Sequence, residues 1–143
     1  MGRSGYVEDD DDGTHGLWRG AVESAIRGKR GQAFLREMAA ALDAMPVKEL
    51  ITGDVVTEDN QVCAIGAVAL ARKVDVSNID IYDGEELGKV FGVAQSLARE
   101  IAHVNDDDFG WRTNETPAQR WQRMREWVGA NLVATPQAGK AEP

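Results

Sequence analysis

Chemistry built on Cys63, the single cysteine of this 143-residue chain, would need a thiolate, a base and a group to orient that base. Cys63 stands at the head of "QVCAIGAVALARK", which reads as a helix made largely of alanine. A thiol at a helix N-terminus feels the positive end of the helix dipole, which favours the nucleophilic thiolate. The candidate base is His103, with Asn105 or Asp106 of "AHVNDDD" to orient it. These groups lie far along the chain, so only the fold can bring them to Cys63. The same stretch supports a plainer reading, which its neighbours favour: most free cysteines are small buried residues, and this one is surrounded by alanines.

The aspartates of "VNDDDFG" offer oxygen ligands to a hard cation, but alternate-position acids and the closing Glu of a calcium loop are missing. Asn and Asp in such runs more often bond nearby amides and form turns or caps. One cysteine and two histidines make no structural zinc set. Neither a metal nor a cofactor site is expected.

Two further features suit binding. Arg27, Lys29 and Arg30 cluster around the glycines of "AIRGKRGQAF", a pattern fit for phosphates or for an acidic protein surface. It is not a Walker loop, because the GxxxxGK[ST] order is absent. Trp111 sits in a polar loop and would anchor an interface if exposed. The net charge of −8 opposes general attraction to nucleic acid or to an anionic membrane. A protein partner is therefore favoured over nucleic acid at the Arg27, Lys29 and Arg30 turn, and no membrane partner is expected. Oligomeric state is not legible.

These groups must be held by a core of small residues: the chain is 43% hydrophobic but only 6% aromatic, with 15 glycines. One domain is expected over residues 17–134. The acidic, glycine-bearing residues 1–16 and residues 135–143 have too little apolar surface to offset their ordering entropy and read as disordered tails. The chain has no basic and apolar leader and no apolar run of membrane-spanning length, so a cytoplasmic, reducing setting is expected.

Apolar residues at Trp18, Ala21, Val22, Ala25 and Ile26 keep the spacing of one helical face over about 17–27. Phe34, Leu35, Met38, Leu42 and Met45 continue it in a second helix that stops near Pro46. The β-branched residues of "KELITGDVVTEDNQV" predict a small hairpin near residues 50–62. Val62 to Arg72 reads as a third helix. Leu87 to Ile101 reads as one long helix or two short ones, with Gly92 as the break. Thr116, Pro117 and Gln119 form a capping box for the last helix, on which Arg120, Arg123 and Glu126 are expected to stay wet. The fold class is thus mainly α, a bundle of about five helices with that hairpin.

With "WRGAVESAIRGKRGQAFLREMAAALDAMP", "VCAIGAVALAR" and "ND" ahead of "TPAQRWQRMREWV", the chain resembles a group of uncharacterised small proteins encoded by tailed phages and prophages. The similarity spans about residues 17–130 and is most specific at "RGKRGQAF", at Cys63 to Ala67, and at Asn105 with Asp106. It implies a phage or prophage origin and a bacterial cytoplasm, and it implies no activity. The expected function is a non-enzymatic accessory protein that binds a host or phage protein. A cysteine enzyme using Cys63, His103 and Asn105 or Asp106, and nucleic-acid binding through Arg27, Lys29 and Arg30, are the alternatives.

Overall fold

The computed structural model describes residues 14–106 and 114–133. Over these the chain forms six helices: α1 Thr14–Arg27, α2 Lys29–Ala44, α3 Ala64–Arg72, α4 Gly84–Phe91, α5 Gln95–Asp106 and α6 Pro117–Asn131. The count exceeds the expected five because the periodic stretch from Leu87 to Ile101 is two helices. Gly92, at φ 75°, ends α4 in a left-handed turn, a conformation open to glycine at no steric cost.

Helices α2 and α5 are the two that organise the bundle: each packs against α1, α3 and α6, and α5 also takes α4. They contribute Leu35, Met38 and Leu42 from α2 and Leu97 and Ile101 from α5, all fully buried, to one core shared with Ile65 and Val68 of α3 and Met124 and Val128 of α6. Phe34 and Phe91 pack at 5.7 Å between ring centroids. The predicted capping box forms at the head of α6. The Thr116 hydroxyl accepts from the Gln119 N–H at 3.1 Å, and the Thr116 N–H donates to Gln119 Oε1 at 2.9 Å.

Small residues set how closely α3 approaches its neighbours. A Cβ at Gly66 would run into the carbonyl of Val55, so the segment before α3 lies directly on the helix. Gly31 packs in the same way on the Ala25 carbonyl, where α2 folds back from α1.

The hairpin expected near residues 50–62 is not formed. A single antiparallel bridge joins Val56 and Val62, and no strand occurs among the described residues. The physical reason lies in where the backbone groups of this segment are bonded. The Ile51 N–H reaches the Val62 carbonyl at 2.9 Å and the Cys63 N–H reaches Val55 at 3.2 Å. The carbonyls of Leu50 and Ile51, however, accept from the side chains of Arg120 and Asn105, each at 2.9 Å. Side chains of α5 and α6 thus occupy positions that a ladder would have used, and the β-branched residues fold as a pinned loop.

Candidate functional site

Cys63 is the N-cap of α3, and its Sγ accepts from the Gly66 N–H at 3.4 Å. The residue is 1% exposed. Burial pushes the thiol up to about 12; N–H bonds from Gly66 and Ile65 oppose this by less, and the Asp106 carboxylate adds to the rise. The helix N-terminus alone favours the thiolate, but here removal from water outweighs it.

Asn105, also 1% exposed, serves the same helix end. Its Oδ1 accepts from the Ala64 N–H at 3.1 Å, while its Nδ2 donates to the Ile51 carbonyl and to Asp106 Oδ1, both at 2.9 Å. Asp106 in turn accepts from the Gly53 N–H at 3.3 Å and from the Tyr82 hydroxyl. The fold therefore gathers Cys63, Asn105 and Asp106 around the start of α3. His103 is on the exposed side of α5, two positions from Asn105 and so about 200° around the helix from it. Cys63 and Asn105 thus meet as caps of α3, with His103 on a different face of α5 from Asn105.

A second polar cluster was not anticipated from the sequence. Arg123 grips Glu115 at two points, 2.6 and 2.9 Å, and donates to the carbonyls of Val104 and Asn105 at 2.6 and 3.1 Å. Arg120 donates to the Leu50 carbonyl, and its buried Nε lies 3.4 Å from Glu115 Oε1 with no hydrogen-bond partner among the described residues. The side chains of Glu115, Arg120 and Arg123 are only 6%, 14% and 17% exposed. The expectation that Arg120 and Arg123 stay wet is thus corrected. They lie off the apolar stripe of α6, but long guanidinium arms let Arg123 cover the carbonyls of Val104 and Asn105 near the end of α5 and let Arg120 cover that of Leu50.

The Arg27, Lys29 and Arg30 turn is exposed. Arg27 pairs with Glu23 on its own helix at 3.4 Å. Beneath it, buried Gln32 donates to the carbonyls of Ile26 and Asn131 at 2.7 and 3.0 Å and accepts from the Val133 N–H at 2.8 Å. The backbone of the turn is fixed while its basic side chains face solvent. Trp111 lies outside the described residues, as do both tails apart from Thr14 to Gly16 at the start of α1.

The feature that sequence reasoning missed entirely is a groove of about 620 Å³ at the far end of α2 from this turn. Its walls are Ala41 and Ala44 of α2 with the C-cap residue Met45, and Ala67, Leu70 and Ala71 of α3. Pro46, Val47, Ile51 and Val62 of the connecting segment and Pro117 of α6 complete the apolar lining. Val47 is 60% and Leu70 43% exposed at its mouth, and the charged residues on its lining are Glu49 and Asp59. A concave, mainly apolar surface with a few polar groups is the usual form of a binding site. Among the described residues there is no cluster of metal-ligating side chains, and no helix is long and apolar enough to cross a membrane. Set against known proteins, the chain matches no family model, no curated protein sequence and no solved structure.

Proposed function

We propose that the protein is a non-enzymatic binding module that docks a segment of another protein in the groove between α2, α3 and the segment joining them. The observation that carries this reading is the exposure of Val47 and Leu70 on an apolar concavity, since contiguous exposed apolar surface marks interaction sites. The resemblance to phage and prophage proteins supports a host or phage protein of a bacterial cytoplasm as the partner. The surroundings of Cys63 weigh against cysteine chemistry: a thiol held neutral to about 12 is a poor nucleophile at cellular pH.

Affinity capture from bacterial cytoplasm tests the proposal, run with the native chain and with Leu70→Asp and Val47→Asp. Both substitutions are at exposed positions and should leave the fold intact by circular dichroism. A protein that binds the native chain, rebinds after purification and is lost with both variants supports the reading. Retention unaffected by either substitution would refute it. A second reading draws on the exposure of Arg27, Lys29 and Arg30 on one rigid turn. Phosphate contact there predicts nucleic-acid binding that weakens steeply with salt, and a salt series with duplex and single-stranded probes checks it.

A further inference from the structure

We infer that the groove's occupant is a basic amphipathic helix, a partner segment with an apolar stripe flanked by Lys or Arg; this rests on the binding-module reading and names the partner's chemistry. Two observations carry it.

The first is shape. Ala41, Ala44 and the C-cap Met45 at the end of α2, and Ala67, Leu70 and Ala71 on α3, each fall at i, i+3 and i+4, so each helix turns one narrow stripe into the groove. Four of those six side chains are alanine, and their small bulk leaves room for a further backbone at helix-packing distance. An apolar stripe at the same spacing is what a docked helix presents.

The second is charge. Glu49 and Asp59 are the charged residues of the lining, and neither is in an ion pair among the described residues. Two of the nearby bases, Lys48 and Arg72, are engaged elsewhere. Lys48 Nζ donates to the carbonyls of Asp43 and Met45 at 3.0 and 2.8 Å and lies 5.5 Å from the Trp121 ring centroid. Arg72 is held at two points by Glu37, at 2.7 and 2.6 Å. The mouth therefore offers apolar surface and two acids outside any ion pair among the described residues, and a Lys- or Arg-flanked stripe matches both.

The test uses two synthetic helical peptides, one with Leu at i, i+4 and i+7 and Lys elsewhere, the other with Glu in place of each Lys. Binding is followed by fluorescence anisotropy and by backbone amide NMR shifts of the full chain. The Lys peptide should bind about tenfold more tightly than its Glu twin, the scale expected of two exposed charge contacts, and should shift Val47, Ile51 and Leu70. Glu49→Lys with Asp59→Lys should remove that preference. Glu85→Lys with Glu86→Lys, the same charge change on α4, should leave it intact.

Equal loss in the α4 variant would assign the attraction to overall charge and overturn the inference. Equal binding of the two peptides at the groove would overturn the basic chemistry while leaving the binding module standing. Binding of neither peptide would overturn the helical occupant, and the capture experiment then decides separately whether the module reading survives. Two other occupants would also overturn it: a second copy, seen as a dimer in sedimentation that Leu70→Asp dissociates, or a small apolar ligand, seen as a bound fluorophore that neither peptide displaces.

Discussion

Burial decides the chemistry of Cys63, and the consequence is measurable as pH rises. The unfolded thiol ionises near 9.0, whereas the folded one keeps its proton until about 12. Between those values the folded chain binds a proton that the unfolded chain has lost, so this residue's contribution falls by about 1.4 kcal/mol per pH unit. Cys63→Ser retains an acceptor for the Gly66 N–H and has no group titrating in that window. The stability of the native chain, from urea midpoints, should therefore fall more steeply above pH 9.0 than that of the serine variant, and parallel curves would refute the account. Lysines and tyrosines titrate in both chains and cancel in the difference. Asn105 carries a different kind of weight. Asn105→Ala strands the buried Ala64 N–H and the half-buried Ile51 carbonyl, which costs about 2 to 3 kcal/mol on the usual scale for unsatisfied groups removed from water. Equilibrium unfolding checks it; a cost below about 0.5 kcal/mol would mean that water replaces the amide.

At the level of the elements, α3 gives the sharpest contest between local preference and packing. Alanine is about 1 kcal/mol better than glycine inside a helix, so Gly66→Ala would stabilise α3 in isolation. In the fold the added Cβ meets the Val55 carbonyl and the Val62 side chain, and moving that segment strains the Cys63 to Val55 hydrogen bond as well. Overpacking of this kind costs about 1 to 3 kcal/mol, so Gly66→Ala should lower the thermal midpoint; a rise would show that the contact yields freely. The same contest explains what could be read along the chain. Helices α1, α2 and α6 were legible because their apolar period and caps are local, and Gly92 marked the break between α4 and α5. Residues 50–62 were misread because Ile51, Val55 and Val56 favour extended backbone, while Arg120 and Asn105, which take the carbonyls of Leu50 and Ile51, are distant in sequence. Of the candidate site, the sequence favours a buried Cys63 and turn or cap roles for Asn105 and Asp106, with chemistry as the alternative; in the fold Cys63 and Asn105 cap α3. The groove had no local signature, since α2, α3, the segment between them and Pro117 converge only in the folded chain.

Across the whole molecule, the cluster of Glu115, Arg120 and Arg123 connects the end of α5 to the head of α6 and to the floor of the groove. Arg123 binds Glu115 and the last carbonyls of α5. Arg120 holds Leu50, whose N–H donates to the Pro117 carbonyl at 3.0 Å, and both Pro117 and Ile51 line the groove. Arg123→Met leaves Glu115 largely buried with its two-point partner gone, a change that typically costs about 3 to 5 kcal/mol. Adding Glu115→Gln should recover part of that loss, because the buried side chain then carries no charge, while Arg120 keeps its bond to the Leu50 carbonyl. The loosened region should be specific. In the double variant, amide exchange should accelerate across residues 50–62 more than in the middle of α2, whose contacts with α1 and α3 do not pass through the cluster. A peptide bound in the groove should then dissociate faster even though no lining residue has changed. Uniform acceleration throughout the chain would mean that the cluster supports global stability alone, and the groove would owe its shape to the packing of α2 on α3.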